Sequence, residues 1–284
     1  MQNIKLIECP RDAMQGWSKF IPTEKKIEYI QTLLKVGFDT IDFGSFVSPK
    51  AIPQMADTKD VIRNLDLAGS KSKLLAIVAN IRGAEEASIY DEINFLGFPF
   101  SVSETFQQRN TNSSILESLD HVEEMQEICI KTGKQLVVYI SMGFGNPYED
   151  PYSEEIVFDW VSKLVDMDIR IISLADTVGM ATSAQIEKMT GCLINEFTDI
   201  EIGVHLHSTQ TNWQEKLDAA IHAGCIRFDG ALKGIGGCPM ADDVLIGNMD
   251  TELMINHLEI KGILNGINKD ALSKSLALAA EIFQ

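Results

Sequence analysis

The stretch Ile200-Glu201-Ile202-Gly203-Val204-His205-Leu206-His207-Ser208-Thr209 carries two of the chain's five histidines, two residues apart at the end of an apolar run. Its apolar residues alternate with the others at a period of two, which predicts a β-strand, because residues i and i+2 on a helix do not face each other. On a strand they do, so both imidazoles point the same way, as a divalent metal requires. A bare His-x-His at a strand end is also compatible with two surface polar groups. The neighbouring segments decide between these readings.

Working backwards and forwards from this strand, short β-like runs alternate with amphipathic stretches about every thirty residues, without a Ser-, Gly- or Pro-rich linker. Ile4 to Cys9 is the first strand; Thr23 and Glu24 open a helix through Val36, closed by Gly37. Thr40 to Phe43, Leu74 to Ala79 and Ile93 to Gly97 follow, the second with a helix behind it to about Leu67. A long helix from Ser114 to Lys131 stops at Gly133, and Leu136 to Ser141 is the fifth strand. Ser153-Glu154-Glu155 starts the next helix, Ile169 to Leu174 is the sixth strand, and a helix from Ser183 to Phe197 leads into the histidine strand, the seventh. Trp213 to Ala223 then connects to the eighth, Ile226 to Asp229.

Eight βα units predict an α/β fold, a single (β/α)8 TIM barrel with extra C-terminal helices. The barrel spans about 4–240, an active-site loop 234–248 and the C-terminal helices 250–284, all in one domain. The length of 284 residues and a hydrophobic fraction of 45% suit one such barrel. With 41 acidic and 24 basic residues the net charge is -17, which argues against nucleic-acid and anionic-membrane partners. Five cysteines (Cys9, Cys129, Cys192, Cys225, Cys238) include no CxxC pair, so neither a disulfide framework nor a zinc ribbon is expected. Met1 runs directly into Ile4-Lys5-Leu6-Ile7, and no apolar run reaches spanning length; a cytoplasmic protein is expected.

Barrel active sites lie at the C-terminal ends of the strands. Asp12, Asp42, Asp176, His205 and His207 all fall there. One carboxylate at such a place is as well read as a helix cap, but five groups together point to chemistry. Imidazoles mixed with carboxylates and no thiolate pair suit Mg²⁺ or Mn²⁺, with zinc and iron left open. Arg11, adjacent to Asp12, would place a cation beside a developing enolate oxygen. The run Gly234-Ile235-Gly236-Gly237-Cys238-Pro239 is glycine-rich but lacks the Lys-Ser/Thr ending of a nucleotide loop. Lys19, Lys50 and Arg109 read as ordinary surface residues.

These motifs resemble those of the 3-hydroxy-3-methylglutaryl-CoA lyase family, within the metal-dependent lyase and Claisen-synthase barrels. The resemblance rests on Pro10-Arg11-Asp12 with Gln15, Ser45-Phe46-Val47-Ser48-Pro49-Lys50, Pro53-Gln54-Met55 and Asp176-Thr177-Val178-Gly179. It continues through His205-x-His207, Gly236-Gly237-Cys238-Pro239 and Gly247-Asn248, in register from about 4 to 265. It implies a divalent metal on Asp12, His205, His207 and Asn248, catalytic duties for Arg11, Asp12, His205 and Cys238, and substrate contacts from Gln15, Asp42, Ser45, Asp176 and Thr177. The implied reaction is retro-Claisen cleavage of a 3-hydroxyacyl-CoA to acetoacetate and acetyl-CoA, by a homodimer. A lyase or condensing enzyme with another acyl group, and a non-catalytic barrel that binds acyl-CoA or metal, are the alternatives. The chain departs from the family at Glu8-Cys9-Pro10, at Gly16-Trp17-Ser18, at Asp42-Phe43-Gly44-Ser45, at Asn146 and at Ser208, and its segment from Cys238 to Asn248 is one residue longer.

Overall fold

In a computed structural model, residues 4–237 and 246–284 are described. Eight parallel strands close in sequence order into a barrel, β1 pairing with both β2 and β8. The strands are β1 (Lys5–Glu8), β2 (Thr40–Ser45), β3 (Lys73–Ile77), β4 (Ile93–Ser101), β5 (Gln135–Ser141), β6 (Ile171–Ala175), β7 (Glu201–His205) and β8 (Arg227–Gly230). Between and after them come α1 (Pro10–Gln15), α2 (Thr23–Leu33), α3 (Thr58–Arg63), α4 (Ile81–Ser88), α5 (Glu104–Thr111), α6 (Ile115–Thr132), α7 (Glu154–Asp166), α8 (Ser183–Glu196), α9 (Trp213–His222), α10 (Thr251–Ile260) and α11 (Lys269–Ile282). None of the described helices is long and apolar enough to cross a membrane.

The expected barrel is therefore the observed one, and its strands are buried on both faces, which is why several read as unbroken apolar runs. One face meets the helices; the other fills the interior with Leu75, Phe95, Val137, Tyr139 and Ile171. Two boundaries differ in an informative way. Strand β4 runs four residues past Gly97, because Phe98 to Ser101 stay in register with Val138 to Ser141 of β5. Behind it, the polar turn around Glu104 folds into a helix of its own, α5, capped by Ser103, whose side chain accepts from the Phe106 amide. At the other end of the barrel's first unit, the turn Pro10 to Gln15 is itself helical, with proline in its first turn where a missing N–H costs nothing.

Glu8 ties the two ends of the chain together. Fully buried, it accepts from the Leu232 amide at 2.9 Å and the Thr251 hydroxyl at 2.6 Å. Burial pushes its carboxyl up to about 8, so the folded chain carries a proton there that the unfolded chain releases near 4.5. The folded state binds more protons between these values, so this group's stabilisation is complete below about 4.5 and is lost as pH rises through about 8. Glu8→Gln keeps an acceptor for Leu232 and offers a donor to Thr251. Urea midpoints of the variant should therefore fall less than those of the native chain between pH 5 and 9; parallel curves would show that Glu8 is ionised in the fold.

Candidate active site

Four polar side chains converge where β1, β7 and the 247–249 segment meet. His205 ends β7 and His207 lies two residues on, so the strand alternation delivers both rings to one face, 5.3 Å apart between centroids. Asp12 arrives from α1, and ligand atoms of Asp12, His205 and His207 all lie within 4.8 Å of one another. The fourth, Asn248, is brought in by pairing beyond the barrel: the Ser208 amide donates to Gly247 O and the Met249 amide to Leu206 O, which sets Asn248 antiparallel to His207. Gly236 makes room for it. Its φ is +100°, and a Cβ there would stand 2.6 Å from Asn248 Nδ2 and 2.8 Å from the Asp12 carbonyl oxygen.

Hydrogen bonds fix which atoms remain free. His207 Nδ1 lies 3.0 Å from the Thr177 carbonyl oxygen, so it carries the proton, and Nε2, buried, has no partner among the described residues. Asn248 Nδ2 donates to Asp12 Oδ2 at 2.7 Å and to Ile235 O at 2.9 Å, leaving its Oδ1 buried and without a partner among the described residues. His205 Nδ1 faces Asp229 Oδ2 at 3.2 Å, which leaves Nε2. Buried polar atoms are ordinarily satisfied, and an orphaned nitrogen and amide oxygen beside a carboxylate are what a cation would satisfy. The residues present therefore fit a divalent metal held by Asp12, His205, His207 and Asn248. Cys9, His205 and Asp229 form a second close grouping, on the other side of the His205 ring, but burial pushes the Cys9 thiol up and keeps it protonated.

The electrostatics of Asp12 and His207 agree with this assignment. Burial disfavours charge on Asp12, yet Arg11 and His205 more than offset it and hold the carboxyl at about 2. Burial, with His205 close by, pushes His207 down to about 4, leaving a neutral ring. At His205 burial also works against the proton, but Asp229 and Asp12 overcome it and raise the ring above its ordinary value.

Arg11 is locked in place beside the cluster. Its Nε and Nη2 grip Asp42, the latter at 2.5 Å, while Nη1 donates to Asp12 Oδ1 at 2.9 Å and Gln15 Oε1 at 2.8 Å. Burial raises Asp42 to about 6 in spite of the guanidinium, while for Arg11 the two carboxylates outweigh its own burial and secure the positive charge. Above these groups lies a cavity of about 510 Å³, walled by Arg11, Asp12, Gln15, Asp42, Thr177 and the two histidines on one side. Val47, Ile52, Phe106 and Tyr139 supply apolar surface, and Ser48, Asn80, Arg109 and Asn110 stand among the remaining polar wall.

Residues 3–278 match the family described as HMGL-like. A hydroxymethylglutaryl-CoA lyase of Bacillus subtilis is 34% identical over 263 residues, 93% of this chain and 87% of the relative. The chain belongs to the HMGL-like family. Within it, the mitochondrial hydroxymethylglutaryl-CoA lyase of Rattus norvegicus is 32% identical over 275 residues, covering 95% of this chain and 83% of its own. The crystal structure of the Bacillus subtilis HMG-CoA lyase superimposes with a TM-score of 0.90 at 33% identity, over 99% of this chain and 93% of that one. An HMG-CoA lyase from Acinetobacter baumannii, in complex with coenzyme A and 3-methylmalate, gives a TM-score of 0.89 at 32% identity, over 98% and 91%.

Against this HMGL-like framework the individual expectations separate. Arg11, Asp12, His205, His207 and Asn248 come together at one point, and Cys238 lies outside the described residues. Gln15, Asp42 and Thr177 line the cavity, but their polar atoms are engaged within the protein: Asp42 by Arg11, Gln15 by Arg11 and Asp12, and Thr177 Oγ1 by the Met142 amide at 2.8 Å. Ser45 and Asp176 are not on the cavity wall among the described residues. The Ser45 hydroxyl is buried beside Thr58, whose Oγ1 accepts from the Ser45 amide, and Asp176 accepts from Lys216 and the Ala181 amide. The Asp176 carboxylate is thus engaged by the scaffold, whereas the Ser45 hydroxyl has no partner among the described residues. Arg109, expected at the surface, is exposed and also borders the cavity, with its guanidinium 4.6 Å from the Tyr148 ring centre.

Proposed function

We propose that this chain is a metal-dependent carbon–carbon lyase that cleaves 3-hydroxy-3-methylglutaryl-CoA, or a close 3-hydroxyacyl-CoA, to acetoacetate and acetyl-CoA. The observation that carries the reading is that His207 Nε2 and Asn248 Oδ1, without partners among the described residues, face Asp12 and His205, with a clamped arginine alongside, at the floor of a cavity large enough for an acyl group. The names of the relatives supply the substrate class. We assign Mg²⁺ or Mn²⁺ to the four ligands, because oxygen donors and neutral imidazoles without a thiolate suit those ions. A bound cation would supply Lewis acidity toward the substrate's hydroxyl and carbonyl oxygens.

The protein's own contribution follows from its geometry. The two histidines, each with Nδ1 already committed, and Asp12, oriented by Arg11, Gln15 and Asn248, present fixed lone pairs toward the metal position. Arg11 cannot swing away from Asp42, so its guanidinium meets the enolate oxygen of the departing acetyl-CoA without reorganising. The apolar wall keeps water from the enolate until Cys238, in our reading the proton carrier, returns a proton to its carbon. The coenzyme A portion leaves through the polar wall by Arg109 and Asn110, and the active form is a homodimer.

A mass-spectrometric screen of 3-hydroxyacyl-CoA thioesters tests this directly. The metal-loaded protein should release acetyl-CoA from the methylglutaryl ester, and chelation should stop it. His207→Ala should weaken Mn²⁺ binding by at least about 10- to 100-fold, the loss ordinarily seen when even an outer partner of a metal ligand is removed, with the circular dichroism unchanged. Absence of acetyl-CoA from every ester tried would overturn the lyase reading.

A further inference from the structure

We infer that Asp229 is the positioning residue that aims His205 at the metal, with the buried guanidinium of Arg227 as its nearby counter-charge. The inference rests on the metal-dependent reading above. Asp229 sits on β8 directly opposite His205 of β7 in the parallel register, and its side chain is wholly buried. Its Oδ2 is the atom facing His205 Nδ1, and a carboxylate can only accept, so the proton resides on Nδ1 and the Nε2 lone pair is left on the opposite side of the ring. Tyr139 packs edge-on against the same ring, with centroids 6.0 Å apart and planes at 87°, which opposes a flip. The ring's orientation and its tautomer are thus set by two neighbours, neither of which belongs to the ligand set.

A charged carboxylate in a barrel interior needs a counter-charge. Arg227 lies two residues earlier on β8, hence on the same inward face, and is 1% exposed. Its Nη1 donates to Glu201 Oε1 at 3.2 Å, and Lys5 pairs with the same glutamate from below. Its Nε and Nη2 have no partner among the described residues, nor does Asp229 Oδ1. Lys5, Glu201, Arg227 and Asp229 thus place charges of alternating sign up the barrel interior, beneath the ring of His205. Gly203 on β7 makes the arrangement possible, since a Cβ there would come within 2.7 Å of Arg227 Cδ.

The test measures metal affinity and imidazole tautomer. Metal-stripped native protein, Asp229→Asn and Asp229→Ala are titrated with Mn²⁺ by electron paramagnetic resonance, and the ¹⁵N shifts of the histidine rings are recorded without metal. Asparagine keeps an acceptor but loses the charge, and should weaken Mn²⁺ by about tenfold; alanine loses both, and should weaken it by about 100-fold. The native spectrum should show a protonated Nδ1 at His205, and the alanine variant a mixture of tautomers. Native protein that takes up no Mn²⁺ overturns the metal reading and the positioning with it. Tight native binding unchanged in the variants, with unchanged ¹⁵N shifts, overturns the positioning alone. Should the alanine variant not fold, the asparagine arm decides on the same criteria.

Discussion

Arg11→Met is expected to lower kcat on the acyl-CoA substrate by about 10²- to 10³-fold, the range found when one donor to a developing oxyanion is removed. KM and Mn²⁺ affinity should stay close to native. The split follows from the wiring of the side chain. Two of the guanidinium's five N–H groups, Nε and one on Nη2, go to Asp42, and both on Nη1 go to Asp12 and Gln15. One Nη2 hydrogen is left over from the bonds to described residues, on a side chain that lines the cavity. A donor held this rigidly stabilises charge that develops late without strengthening the ground state, which is how an effect on kcat alone arises. Arg11→Lys retains the charge but loses the fork that grips Asp42, and should fall between the native chain and the methionine variant. A methionine variant impaired only in KM would show that Arg11 holds substrate and does not act on the enolate.

The barrel was legible because most of its strands are short, largely apolar runs between turn residues, and the period-two pattern near residue 200 reads as a strand. His205 and His207 were legible for the same reason: alternation dictates that they share a face. Asn248 was not legible from pattern at all, because its placement depends on the backbone pairing of 247–249 with 206–208, which joins segments forty residues apart. Asp176 does follow the end of β6, whereas Asp42 lies inside β2, and position along a strand does not reveal whether a carboxylate faces ligand, arginine or lysine. Asp229 lies near the end of β8 and went unremarked; the rule that singled out Asp12, Asp42 and Asp176 applies to it equally. Lys216 carried a fainter signal. It falls beside Leu217 and near Ala220 on the inward side of α9, and a lysine on a buried helix face calls for a partner.

That partner makes Lys216→Met the substitution with the largest expected cost to stability. Lys216 Nζ lies 2.6 Å from Asp176 Oδ2, with the two side chains 2% and 1% exposed. Burial raises the Asp176 carboxyl against the pull of Lys216, so removing the ammonium leaves a charge that must either stay buried alone or take up a proton. Breaking such a pair costs about 3–5 kcal/mol, a fall on the order of 10 °C in Tm for a chain of this size. Replacing both partners, Asp176→Leu with Lys216→Met, should recover most of that loss, because no unpaired charge remains. Metal binding should not recover with it. The same ammonium donates to the His207 carbonyl oxygen at 2.8 Å and to the Gly179 carbonyl oxygen at 3.0 Å, tying α9 to the residue that supplies a ligand and to the turn after β6. Neither leucine nor methionine can replace those bonds, so the double variant should melt near the native temperature yet bind Mn²⁺ more weakly. A single variant that melts with the native chain would show that the buried pair contributes nothing to the fold, and a double variant with native Mn²⁺ affinity would show that Lys216 plays no part in placing His207.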